Sequence, residues 1–244
     1  MSFTPTADKL LPDLSPAEEL VLLARTLWHE GYDDHLAGHI TYKQDDGTFL
    51  CNPWLITWGE LRPEQVIRID LEGRVLEGDW PVPLGIPLHL ELHKRRHDVN
   101  VAVHNPPRYG TVWADVGRVP PVYDQSSSLG GGKIVAVDEY TGPANSAAAA
   151  AEAVEAMGDA DLALLANHGV FVLARSIRAA HQRAVALEQR CRNAWHVEAV
   201  GGGRPLPAQF ADRMRASDGN SFIGFWEAMV RLELARDPTL LSGR

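Results

Sequence analysis

Apolar positions along the chain switch between helical spacing and strict alternation, and the switches mark the elements. Leu20, Leu23, Ala24 and Leu27 form one stripe behind Ser15-Pro16-Ala17-Glu18. There Ser15 can cap, Pro16 fits the first turn and Glu18 can return the capping bond. A helix is predicted from this point to Gly31, which can end it in a left-handed conformation. The period then shortens. His39-Ile40-Thr41-Tyr42 and Thr48-Phe49-Leu50-Cys51 flank Asp45-Asp46-Gly47, which reads as a β-hairpin. Val66–Asp70 and Arg74–Leu76, around Glu72-Gly73, read as a second strand pair.

Residues 86–97 look helical and run into Val99-Asn100-Val101-Ala102-Val103-His104, a predicted strand with His104 at its end. Ile134–Val137 is another strand candidate, and the alanine-rich stretch 144–157 is a helix by propensity. Leu162–Ala166 and Val170–Leu173 bracket Asn167-His168-Gly169, which places His168 on a tight connection between strands. Ser176 caps a long helix through about Val200, stopped by Gly201-Gly202-Gly203. A last amphipathic helix spans roughly 219–235, with Trp226, Met229 and Leu232 on its apolar face. Strands and helices are interspersed without a 20–50-residue repeat, so the class is α/β.

Composition narrows the function. The chain has 244 residues, 45% of them hydrophobic, enough for one full core. A formal charge of −9 would repel nucleic acid and anionic membranes, so neither is expected as a partner. A small-molecule substrate or a second subunit is expected instead. Cys51 and Cys191 are far apart and predict neither a disulfide framework nor a thiolate zinc cluster. With no basic and apolar leader and no window near the ~20 apolar residues of a membrane span, a cytoplasmic location is expected.

Several motifs fail on inspection. His89 and His93 are four apart on a predicted helix, but the metalloprotease pattern needs Glu where Leu90 stands. The expectation is that His89 is buried and hydrogen-bonded and His93 lies near the surface. Gly130-Gly131-Gly132-Lys133 lacks the first glycine and the Ser or Thr of a phosphate loop, those places holding Ser127 and Ile134. No nucleophile elbow or dinucleotide fingerprint is present. What remains is His104 at a strand end and His168 on a turn, two imidazoles able to converge on a divalent metal that polarises a carbonyl.

At this point the ordered segments resemble a known family. Gly38-His39-Ile40-Thr41, Asn52-Pro53-Trp54, Leu88-His89, Arg96 through His104, Asp138-Glu139-Tyr140-Thr141-Gly142 and Asn167-His168-Gly169 are similar to the class II aldolase/adducin family. The pattern is nearer the adducin-like branch than the sugar-phosphate aldolases. The resemblance covers residues 15–200 as the family domain, which leaves residues 1–14 as an N-terminal arm and 201–244 as a C-terminal extension with one helix. It implies an α/β/α layered domain around a central, mainly antiparallel sheet, assembled as a homo-oligomer, a tetramer with sites at subunit interfaces. Family enzymes bind a divalent metal, often zinc, through a His-x-His unit and the histidine of Asn-His-Gly, and a glutamate four residues before the helix histidine is the acid/base.

His104 matches the first ligand and His168 the third, while Pro106 stands at the second and Gly85 at the glutamate. Adducin-like members commonly carry glycine at the latter position. His39 or His89 is expected to complete the metal site, or the substrate to supply the remaining donor atoms. The phosphate-binding serines are replaced by Pro83 and Leu84, and the loop glycine by Leu55. The family's tyrosine acid, supplied across the interface, falls near Gln125, and Tyr123 two residues away takes that role. Arg108 is expected to pair with a substrate carboxylate, and Trp54 and Trp58 to wall an apolar pocket. The expected function is a metal-assisted carbon–carbon lyase, retro-aldol or decarboxylating, on a non-phosphorylated hydroxy-acid or aromatic-acid substrate. The alternative is an adducin-like binding or structural protein without metal chemistry.

Overall fold

A computed structural model describes residues 10–137, 147–216 and 224–241. The motif Asp138–Gly142, the first residues of the alanine-rich helix, most of the N-terminal arm and the start of the last predicted helix lie outside them.

The chain enters through α1 (Pro16–Trp28), where both halves of the expected capping box form: Ser15 N–H donates to Glu18 Oε2 at 2.7 Å and Glu18 N–H to Ser15 Oγ at 3.3 Å. The hairpin follows as β1 (His39–Lys43) and β2 (Phe49–Cys51), then β3 (Ile67–Ile69) and β4 (Val75–Glu77). After α2 (Ile86–Arg95) come β5 (Val101–Asn105), α3 (Arg108–Val116), β6 (Ile134–Val137) and α4 (Ala147–Met157). The chain closes with β7 (Leu162–Leu165), β8 (Gly169–Ala174), α5 (Ile177–Ala199), α6 (Ala208–Ala216) and α7 (Phe225–Arg236).

The strands form one sheet in the order β4-β3-β2-β1-β5-β8-β7-β6, antiparallel throughout except for the β6–β7 pair. Alternation along β5 sorts its side chains between two layers. Val101 and Val103 join the core with α1, α3, α5 and α7, which includes Leu20, Leu23, Leu27, Trp113 and Leu187. Ala102 faces the other way with Phe171 and Leu173, under Leu88 and Leu92 of α2 and Val154 of α4. Each fully buried aliphatic side chain contributes roughly 1.5–3 kcal/mol. The α/β/α layering is therefore as expected.

Three details differ. α3 is a helix that the sequence pattern did not predict, and only Gly110, Trp113 and Ala114 of its nine residues are buried. The C-terminal extension holds two helices, α6 and α7, rather than one. The expected face of α7 is also rotated: Trp226 and Val230 are buried, but so are Glu227 and Glu233, while Leu232 is 51% exposed. The reason is ion pairing: Arg25 of α1 meets Glu233 at 2.6 Å and Arg178 of α5 meets Glu227 at 2.8 Å. Carboxylates go inside where guanidinium partners are waiting, and hydrophobic periodicity does not register this.

Candidate active site

Residues from β1, β5, α2 and the β7–β8 turn meet at one end of the central strands. His39 and His104 are direct cross-strand partners in the β1–β5 ladder, with rings stacked at 5.4 Å between centroids. His168, on the β7–β8 turn, lies 4.6 Å from His104, and His89 of α2 lies 5.9 Å from His39. Phe171 of β8 packs against both His89 and His104, at 4.8 and 5.7 Å. The four histidines singled out from the sequence thus form one group.

Each has a local reason for its place. Asn52 holds the backbone either side of His39: its Oδ1 accepts from Ile40 N–H at 2.7 Å and its Nδ2 donates to Gly38 O at 3.1 Å. His168 sits in a tight turn closed by its N–H donating to Leu165 O at 3.0 Å, with Asn167 at φ 54°. Asparagine tolerates that left-handed conformation better than most residues. A Cβ on Gly169, which has φ 145°, would meet Asn105 O at 2.8 Å, so only glycine fits between the turn and β5.

His104 Nδ1–H donates to Val170 O at 2.9 Å, which leaves Nε2 as the lone-pair nitrogen. Thr41 Oγ1 bridges His89 Nδ1 at 3.0 Å and His93 Nε2 at 2.8 Å. His93 is 4% exposed, so the expectation of a surface position is corrected. It is drawn inward because the one hydroxyl can donate to one imidazole and accept from the other. His39 Nδ1 and His89 Nε2 are buried without a partner.

Burial keeps the whole group uncharged. It pushes His39 and His93 down to about 4, and His89 and His104 well below the usual histidine range, with neighbouring imidazoles adding to the effect on His39, His89 and His104. Burial also lowers His168. Neutral imidazoles bind metals and accept protons, which imidazolium cannot do.

Gly85 caps the start of α2 against His39: a Cβ there would lie 2.5 Å from His39 Nδ1 and closer still to Cε1. A glutamate at this position has no room while His39 stays. Nearby, Leu55 adopts φ 75° and is 55% exposed, and Leu84 is 69% exposed. Trp54 N–H donates to Pro81 O at 2.8 Å, tying the two loops together. The backbone at Leu55 keeps a conformation suited to glycine.

The other candidates are elsewhere. Arg108 has 71% of its side chain exposed and faces Asp33 at 3.7 Å. Tyr123 packs against the α1-side core and next to Gly203. Neither has a described contact with the four histidines. Trp58 is corrected: it is 2% exposed in the α1-side core beside Gly38, and only Trp54 is left on the loop. One residue was missed. Glu188 of α5 is buried and accepts from Tyr109 N–H and Gly110 N–H, both at 2.8 Å, at the start of α3. Burial pushes its carboxyl up to about 7. A lone acid within the buried stripe Ala184, Leu187 and Cys191 was the available signal.

The donors fit a metal only in part. His104 and His168 are close enough to share an ion, and Pro106, which has no donor, stands at the second ligand position. Among the described residues, no three His, Cys, Asp or Glu side chains are grouped to hold one.

A mainly antiparallel sheet between helical layers, with histidines gathered at the end of its central strands, defines a class II aldolase fold. Residues 18–195 match the family described as Class II Aldolase and Adducin N-terminal domain, and the chain belongs to that family. It is 27% identical to the 5-methylthioribulose-1-phosphate/5-deoxyribulose-1-phosphate aldolase of Rhodospirillum rubrum, over 80% of this chain and 87% of that protein. It is 29% identical to the 3,4-dihydroxyphthalate decarboxylase of Arthrobacter keyseri, over 78% and 82%. Its fold is similar to that of L-fuculose 1-phosphate aldolase from Glaciozyma antarctica, with a TM-score of 0.79, 20% identity and coverage of 96% and 98%. No helix among the described residues is long and apolar enough to cross a membrane.

Proposed function

We propose that the chain is a cytoplasmic carbon–carbon lyase, retro-aldol or decarboxylating, acting on a non-phosphorylated hydroxy-acid or aromatic-acid substrate. One observation carries the reading. A group of buried neutral imidazoles adjoins loops whose phosphate-cradling positions are Pro83, Leu84 and Leu55, with two exposed leucines in place of donors. A phosphate monoester would find little to replace its hydration there. The resemblance to a decarboxylase of a dihydroxylated aromatic acid supports the same substrate class.

Class II aldolases are generally dependent on a divalent metal. In this chain His104 and His168 would hold it, zinc being the first choice, with His39 or His89 the nearest further imidazoles. When bound, the ion supplies Lewis-acid polarisation of a carbonyl or ring oxygen. The chain's own residues would contribute as follows. Val170 O fixes the His104 tautomer, Thr41 sets the His89 ring, and Phe171 excludes water from beside both. Arg108 and Tyr123, which lie away from the histidines, would serve the neighbouring subunit's site in a homotetramer, Arg108 as a fork for a substrate carboxylate and Tyr123 as an acid.

The second reading is an adducin-like binding protein, favoured by Pro106 at the second ligand position. Metal content separates the two. Chain purified without chelators should carry about one divalent ion, lost in His104→Ala; none bound after reconstitution would overturn the lyase reading in favour of the binding protein.

A further inference from the structure

The helix that follows the strand of His104 has no capping side chain of its own. α3 begins behind Pro107, which offers none, so its first amides need acceptors from elsewhere. All four are satisfied. Arg108 N–H donates to Gly31 O at 3.4 Å, and Thr111 N–H closes the first helical bond on Pro107 O at 2.9 Å. Between them, Tyr109 N–H donates to Glu188 Oε1 and Gly110 N–H to Glu188 Oε2, both at 2.8 Å. Glu188 is 6% exposed and belongs to α5. One carboxylate from another helix thus serves two orphan donors, with its charge at the end of α3 that favours an anion.

The clamped segment meets the histidine group through β8. Gly110 lies so close to Val170 that a Cβ on it would stand 2.7 Å from Val170 Cγ1. Val170 O is the acceptor that fixes the His104 tautomer. One residue earlier, Gly169 fits against Asn105 O and Pro106, and His168 precedes it in the same turn. Gly31 closes the junction from the third side: its Cβ position is 3.5 Å from Glu188 Oε1, and its loop leads to β1 and His39. Close-packed neighbours transmit small displacements, so a shift of the start of α3 reaches Val170 and, through its carbonyl, the His104 ring. Glu188 itself stays on the other side of the sheet and touches none of the histidines.

We propose that Glu188 is a positioning residue for the histidine site, its carboxylate setting the start of α3 against Val170 and thereby the His104 ring. Its bearing on catalysis rests on the lyase reading; the test reads His104 in the metal-free chain, so failure of one is distinguishable from failure of the other. An ionised carboxylate accepts from both amides, whereas a protonated carboxyl or a glutamine has one good acceptor and turns a donor toward the second amide. Burial holds this carboxyl at about 7, so both forms are reached near neutral pH. The charged groups facing it are Arg192 on its own helix and Arg108 on α3, which favour the ionised form, while Tyr32 and Cys191 keep their protons because burial raises both.

The test is the ring ¹⁵N resonances of His104 in the histidine-labelled, metal-free full-length chain, assigned with His104→Gln and followed over about one unit either side of 7. They are expected to move in one step centred near 7. Glu188→Gln should remove the step and hold the resonances near their low-pH position. Glu233→Gln, which breaks a buried ion pair between α7 and α1, should leave the step in place, since lost stability alone does not move His104. Arg192→Ala, at an exposed position, should raise the midpoint at low salt, and it decides the matter if Glu188→Gln fails to fold. Resonances that stay flat across 7 would overturn the proposal. So would a step that survives Glu188→Gln, disappears in Glu233→Gln or keeps its midpoint in Arg192→Ala.

Discussion

His39 occupies the space in which a side chain on residue 85 would begin. A Cβ on Gly85 would stand 2.5 Å from His39 Nδ1, inside any real contact distance. The missing glutamate and the stacked histidine are therefore one arrangement. Gly85→Glu is expected to destabilise the fold by about 3 kcal/mol or more, from overpacking and a buried carboxylate, without creating activity. Gly85→Glu combined with His39→Ala should recover part of that loss. Denaturant titration of the two single variants and the double checks this, and strictly additive effects would contradict it.

Leu55 gives a prediction of the opposite sign. A left-handed φ costs a non-glycine residue roughly 1–2 kcal/mol, and Leu55 at φ 75° is 55% exposed, so little burial offsets it. Glycine there relieves the strain but adds about 0.4–1 kcal/mol of unfolded-state entropy. Leu55→Gly should stabilise the chain by roughly 0.5–1 kcal/mol net. A fall in the unfolding midpoint would show that Leu55 makes contacts that outweigh the strain.

Stability should also collapse in mild acid. His39, His93 and His181 are each held at about 4 by burial. The unfolded chain takes up these protons near 6.5 and the folded chain does not, so stability is full above 6.5 and falls as pH drops toward 4. Each group corresponds to about 3 kcal/mol over that range, and three together rival the ~5–15 kcal/mol of a whole domain. Glu188, raised to about 7, acts the other way: its contribution is present below about 4.5 and lost as pH rises through 7. His89, His104 and His168, also lowered by burial, act in the same direction as the three histidines, and the balance is a net loss in acid. Thermal melts from pH 7.5 to 4.5 should show a steep decline, and a flat profile would mean that the histidines are hydrated.

Most of the site was legible because its parts are local. The strand ending at His104, the turn carrying His168 and the start of β1 at His39 each have their own signature of alternation or turn residues, and antiparallel pairing of β1 with β5 then brings His39 and His104 together. What was not legible depends on partners remote in sequence. The burial of His93 depends on Thr41, 52 residues away, and the inward face of α7 depends on Arg25 and Arg178. Trp58 lies in the core rather than in a cleft wall because Gly38 leaves room for its ring. α3 escaped notice because its buried surface is one tryptophan and small residues.

The central claim is a carbon–carbon lyase site that takes acids rather than phosphates. The most direct measurement is one panel of hydroxylated aromatic acids, 4-hydroxy-2-keto acids and sugar phosphates, assayed for released carbon dioxide or aldehyde with the metal-loaded chain and with His104→Ala. Turnover of at least one acid, abolished in His104→Ala, is the predicted result. Turnover of a sugar phosphate at an ordinary enzymatic rate of about 1 s⁻¹ or more, with every acid inert, would contradict the account.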